Sequence, residues 1–175
     1  VFIEPIEATP VLCLFGAGHV AQPLAHLAHL AGFRVEVLDD RPRFASGQRF
    51  PEAERVVVDD LTAGAAQLTL GPNTYAVVVT RGHKGDAEAL RSVLGRGLRY
   101  VGLLGSRPKM VHVFQALVEQ GLRLEELRRR RDHPHGGPGP FERRHPRRLE
   151  LLLQDLGRHA AARRHGPLAR HGVPG

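Results

Sequence analysis

Over the first 127 residues, short apolar runs alternate with segments of helical periodicity, the pattern of an α/β architecture. Val11–Phe15 (VLCLF) is a near-continuous apolar run, as expected for a strand covered on both faces. After a glycine turn, Val20, Leu24, Leu27, Ala28 and Ala31 recur at helical spacing, and Gly32 ends that helix. Phe33–Leu38, Glu54–Val58, Tyr75–Thr80 and Arg99–Leu104 read as four further strands. Asp86–Leu94 and Lys109–Gln120 read as helices, the second with Val111, Phe114, Leu117 and Val118 on one face. The link from Arg41 to Ala53 contains Pro42, Gly47 and Pro51, so no regular crossover helix is expected there. Five strands with helical crossovers predict a doubly wound, Rossmann-like parallel sheet of order 3-2-1-4-5. Its ligand crevice would lie beside strand one.

Composition then divides the chain in two. Its 175 residues carry a formal charge of +7. Residues 1–127 hold 13 Lys+Arg against 14 Asp+Glu, whereas 128–175 hold 12 against 4 and six of the eleven histidines. The basic character therefore belongs to an irregular Arg/His/Pro/Gly-rich tail, with a short amphipathic helix expected around 147–162. Only Phe141 interleaves its arginine clusters, so a base-stacking, nucleic-acid surface is not indicated. No apolar run approaches the ~20 residues that cross a bilayer. The single Cys13 excludes a disulfide scaffold or a cysteine-based zinc module and fits a reducing cytoplasm. No metal site is expected: His26 and His29 point away from the apolar stripe, and His133 with His135 is too few ligands.

The candidate chemistry sits at strand ends. Gly16-Ala17-Gly18-His19-Val20-Ala21 is a Gly-X-Gly-X-X-Ala fingerprint between a buried strand and an amphipathic helix. Gly16 permits the turn, Gly18 lets backbone approach a pyrophosphate, and the helix N-terminus prepares an anion site. His19 lies at the same crevice. Asp39 or Asp40 ends strand two at ribose-binding spacing, and the parity shared by Val35, Val37 and Asp39 favours Asp39. Asp39 would repel a 2′-phosphate and Arg41 would offset that repulsion, leaving the nucleotide preference open. After strand four, Arg81, His83 and Lys84 approach the mouth; after strand five come Gly105, Ser106, Arg107 and Lys109. These cations can grip an anion, or Asp86 simply caps the next helix beside solvated charges. A Ser106–His83 nucleophile–base pair is conceivable, but nothing in the sequence orients it.

VLCLFGAGHVAQPLAHLAHLAGFRVEVLDDRPRFASGQRFPEAERV, VVVTRGHKGDAEALRSVL and RYVGLLGSRPKM together resemble the C-terminal Rossmann domain of the XdhC/CoxI family, accessory proteins for molybdenum hydroxylases. The resemblance spans roughly residues 1–127 and rests on the combination GAGHVA, DDRP, TRGH and GSR. It implies a protein that binds molybdopterin (the molybdenum cofactor), assists its sulfuration and delivers it to an apo-hydroxylase, with a sulfur donor as second partner. This is hand-over rather than enzymatic turnover. The matching positions are Gly16, Gly18, His19, Asp39, Asp40, Arg41, His83, Gly105, Ser106 and Arg107.

Two departures accompany the resemblance. The family's N-terminal, cysteine-bearing domain is not in this sequence, and Cys13 does not replace it. After the last strand the family continues with a Pro-Ile-Gly-Leu-Asp loop, where this chain has DHPHGGPGPF. That run reads like a GC-rich gene out of frame, and we expect a frameshift near Arg128–His133; resequencing that returns a single intact reading frame would contradict it. Two other classes stay open. A NAD(P)-dependent oxidoreductase would need a substrate domain for which no residues remain after the sheet. A nucleotide-sensing module is the other, and a stable homodimer whose shape responds to NADH or ATP would favour it.

Overall fold

The computed structural model describes residues 8–122. Five parallel strands form one sheet in the order β3-β2-β1-β4-β5. They are β1 (Val11–Phe15), β2 (Arg34–Asp39), β3 (Arg55–Val58), β4 (Thr74–Val78) and β5 (Tyr100–Leu103). The flanking helices are α1 (Ala21–Leu30), α2 (His83–Val93) and α3 (Arg107–Glu119). Strand order and class are those read from the sequence, and strand ends differ by one or two residues. The chain divides into two units, Val1–Ala116 and Leu117–Gly175. The tail from 123, its proposed helix and the boundary at 127 lie outside the described residues.

β1 occupies the middle of the sheet, which is why all five of its residues are buried. Its register sets Leu12 and Leu14 beside Val35 and Val37 of β2, and beside Tyr75 and Val77 of β4. These side chains share one face with Ala21 and Ala25 of α1 and with Ala45 and Phe50 of the 41–53 link. That link has no helix, as its prolines predict. Instead it forms successive turns, closed by bonds such as Ala45 N–H to Arg41 O and Phe50 N–H to Ser46 O. Its own apolar residues therefore cover the sheet in place of a crossover helix.

The buried face of α1 is not the one expected. Val20 and Leu27, read as part of the core stripe, are 49% and 62% exposed, while Ala21 and Ala25 are fully buried. Leu24 and Ala28 do pack against the core. A helix that springs directly from a glycine turn approaches its strand closely, and only methyl-sized side chains fit between them. α1 then ends as predicted at Gly32, whose φ is +81°. Gly32 N–H bonds to His29 O and Phe33 N–H to Ala28 O, a paired C-terminal closure that needs a left-handed residue. In α3 the buried residues are Val113 and Leu117, so Val113 takes the place foreseen for Val111. α2 begins at His83, three residues before the expected start, and a short 3-10 turn at Gly64–Gln67 was not foreseen.

The opposite face of the sheet carries a polar cluster. Glu36, wholly buried, accepts bonds from Thr69 N–H (2.7 Å) and the Thr69 hydroxyl (2.6 Å). The Thr74 hydroxyl donates to Thr69 O at 2.7 Å. Cys13 lies against the same carboxylate. Burial, and then the Glu36 charge, push its thiol far above the ordinary range. Cys13 is thus a core residue without thiolate chemistry, as a strand-centre thiol is expected to be.

Candidate functional site

The carboxyl end of β1 is the switch point of the sheet, because β2 and β4 lie on its two sides. The two fingerprint glycines there serve different ends. Gly16 has φ +108°, and a Cβ on it would lie 2.8 Å from Val79 O. The fold itself demands glycine at that position. Gly18 is neither strained nor crowded, and a Cβ on it would meet no atom within 4 Å. The open space above Gly18 is therefore not filled by any described residue.

The start of α1 beyond this turn carries no side-chain cap and no acidic residue in its first turn. Ala17 N–H is bonded to Asp39, and Gly16 N–H to Leu38 O. The N–H groups of Gly18, His19 and Val20 have no partner among the described residues. Unpaired donors at the positive end of a helix attract an anion.

Asp39 holds the turn in place. Its Oδ2 accepts from Ala17 N–H at 2.7 Å and from Arg41 Nη2 at 2.8 Å. Its Oδ1 accepts from Arg41 Nε at 2.8 Å and from Arg41 N–H at 3.0 Å. Burial by itself raises this carboxyl's pKa. The Arg41 fork and the two backbone N–H groups outweigh burial and hold it below the ordinary carboxylate value. Arg41 is raised in turn, first by its bond to Asp39. The Arg41 guanidinium also lies 3.9 Å from the centre of the Phe44 ring, and Arg49 approaches the same ring at 5.2 Å. Gln22 ties Arg49 back to α1, accepting from Nη2 at 2.9 Å and donating to Arg49 O at 3.1 Å.

The other predicted residues divide between the rim and the interior. Asp40 is exposed and lies 3.6 Å from Arg41 Nε on one side and 3.6 Å from Arg81 Nη2 on the other. Arg81 thus reaches from the loop after β4 to the loop after β2. Lys109, expected to grip a ligand, points inward. Its Nζ lies 2.6 Å from Oδ2 of the fully buried Asp86 and donates to Thr80 O at 3.0 Å. The Thr80 hydroxyl completes this lock by donating to Asp86 Oδ1 at 2.5 Å. Asp86 is an internal counter-ion within α2's first turn, not its cap.

Ser106 is the residue before α3, and its hydroxyl accepts weakly from Lys109 N–H at 3.5 Å. His83 opens α2 with its ring 6.1 Å from that of His112. No hydrogen bond joins Ser106 to His83 among the described residues, so the structure assembles no nucleophile–base pair there. Gly105 and Arg107 are exposed, as are His19 and Lys84. The glycine turn, Asp39, Asp40, Arg41 and Arg81 therefore form one connected group. Gln22, Phe44 and Arg49 belong to its support, and sequence reading did not single them out. No group of three or more potential metal-binding side chains occurs among the described residues. A cleft of about 320 Å³ lies at the amino end of β2, where Arg34 is forked onto Glu54.

The XdhC Rossmann domain family matches residues 12–146. A probable xanthine dehydrogenase component of Bacillus subtilis (strain 168) is 37% identical over 105 residues, which is 60% of this chain and 32% of that protein. An uncharacterized protein of Escherichia coli K12, YqeB, is 30% identical over 130 residues, covering 74% of this chain and 24% of its own length. Among solved structures, a xanthine dehydrogenase from Bacillus halodurans aligns with a TM-score of 0.58 at 26% identity, over 76% of this chain and 46% of that one. The chain spans about a third or less of the curated relatives it matches.

The depressed pKa of Asp39 makes its contribution pH-dependent. A lowered folded-state pKa stabilises the fold above the unfolded value of about 3.9, and the effect disappears as pH falls through the folded value. Asp39→Asn should cost about 1.5–3 kcal/mol at pH 7, the range for hydrogen bonds to a charged group. Denaturant unfolding at stepped pH should show the gap between the two proteins shrinking below about pH 4. A gap that persists unchanged to pH 2 would contradict the Asp39–Arg41 assignment.

Proposed function

This chain belongs to the XdhC Rossmann domain family, and from that membership we propose that it binds the phosphate end of a molybdopterin-type cofactor at the glycine turn, in support of the maturation of a molybdenum hydroxylase. The observation that carries the reading is the contrast between the two glycines. Gly16 is demanded by the fold, whereas Gly18 faces open space beside three unpartnered N–H groups. The relatives with xanthine dehydrogenase names support the same direction.

A terminal phosphate fits this donor set. The N–H groups of Gly18, His19 and Val20 would donate to its oxygens, and the absence of an acidic residue from the first turn of α1 leaves its charge unopposed there. Arg81, 68% exposed at the rim, can turn from Asp40 to the anion at little cost, because exposed ion pairs are weak. When bound, the cofactor supplies the metal-centred redox chemistry of the finished hydroxylase. This chain's own residues hold and release its charged end. Cys13 is buried with its thiol held protonated, so sulfuration would draw on a separate sulfur donor, and the apo-hydroxylase would be the recipient.

Thermal unfolding of the chain with molybdopterin cofactor tests the proposal. A ligand at about 100 times its dissociation constant adds about 2.7 kcal/mol of stability. Gly18→Asp should abolish that shift, since it puts a carboxylate into the open space where the anion would sit. An undiminished shift in the variant, or a response to NADH without one to molybdopterin, would overturn the reading.

A further inference from the structure

We infer that Arg41 is a specificity-determining residue that occupies the ribose-recognition position of this turn and leaves the site with no acceptor for a ribose cis-diol. The inference rests on the phosphate-binding reading above and adds what the site excludes.

In a glycine-turn fold of this kind, the carboxylate at the end of β2 is the group that accepts from the two ribose hydroxyls. An ionised carboxylate has about four lone-pair positions to offer. Asp39 meets four donors here: Ala17 N–H, Arg41 N–H, and Nε and Nη2 of Arg41. Each oxygen receives two. Nothing remains for a ribose hydroxyl, and Asp39 itself is only 3% exposed.

A ribose could bind this carboxylate only by displacing Arg41. That would strip a buried charge of its guanidinium and break the contact of Arg41 with Phe44. Arg41 is also held from a second side, by the Asp40 carboxylate at 3.6 Å. The fork is therefore a resident occupant of the diol position. It replaces an acceptor that selects sugar hydroxyls with a neutralised ion pair that offers them none. The ligand class that follows is a phosphate ester recognised without its sugar, and nicotinamide and adenine dinucleotides gain nothing here from their ribose.

The ratio of affinities for adenosine 5′-monophosphate and its 2′-deoxy analogue reads this role directly, because a purely structural arginine would not move it. Both ligands carry the same phosphate and base. The intact chain should bind the two within about twofold of each other. Arg41→Met keeps an unbranched apolar stem against Phe44 and uncovers the carboxylate. It should favour the ribonucleotide by about tenfold, the usual effect of one hydrogen bond to a charged group. Arg41→Lys retains a counter-charge for Asp39 without the fork, and should acquire part of the preference even where the methionine variant folds poorly.

A tenfold ribonucleotide preference in the unaltered chain, or indifference in both folded variants, would overturn the inference. Folding is checked by the thermal transition of each protein. The phosphate-binding reading fails separately, by loss of any molybdopterin response in the unaltered chain. A chain that responds to molybdopterin but gains no diol preference in either variant would retain that reading and lose this one.

Discussion

The site depends on one carboxylate. Asp39 ends β2, yet its Oδ2 accepts the Ala17 N–H of the turn that follows β1, so two neighbouring strands are tied together at their carboxyl ends. The same carboxylate draws in Arg41, which fixes the first residues of the 41–53 link and sets Phe44 beneath the guanidinium. Phe50 and Ala45, further along that link, then cover the sheet face where a crossover helix would otherwise lie. Without the Asp39 bonds the turn would keep only the Gly16 N–H bond to Leu38 O and the Gln22–Arg49 pair as ties on that side. Buried charge is costly when unpaired, and here each acceptor position is met.

A second lock works from the other flank. Lys109 joins Thr80 O at the end of β4 to Asp86 in α2, inside the protein. The loop that carries Arg81, and the start of α2 at His83, are thereby held to the first turn of α3, which Ser106 and Arg107 open. The exposed cations at the rim consequently stand on segments fastened by the half-buried Lys109 and Arg41. This explains why a segment rich in Lys and Arg contributes both kinds of residue: its charges differ in what lies opposite them, not in type.

Much of the fold was legible from periodicity. The central strand reads as apolar throughout because it is buried on both sides, and the strand order follows from parallel strands with crossovers. The face of α1 was not legible, because Leu27 and Ala25 carry similar weight in an apolar pattern. Only the close approach of helix to strand after the glycine turn selects the smaller residue. At the site, Gly16, Gly18 and Asp39 were found from their spacing. The inward turn of Lys109 was not, since its carboxylate partner Asp86 lies 23 positions away. Nor was the fork of Arg41 onto Asp39, because spacing does not say whether neighbouring charges pair with each other or with a ligand. Gln22, Phe44 and Arg49 carry no motif, and their part emerges only when the 41–53 link is folded back against α1.

In the proposed binding mode the anion would sit on the N–H groups of Gly18, His19 and Val20, because that of Ala17 is already committed to Asp39. Backbone amide resonances of the isotope-labelled chain, followed as molybdopterin cofactor is added, test it most directly. Saturable shifts are expected at residues 18–20, with the Ala17 amide moving little. Saturable shifts confined to another part of the sheet, or a displacement of the Ala17 amide as large as that of Gly18, would contradict it.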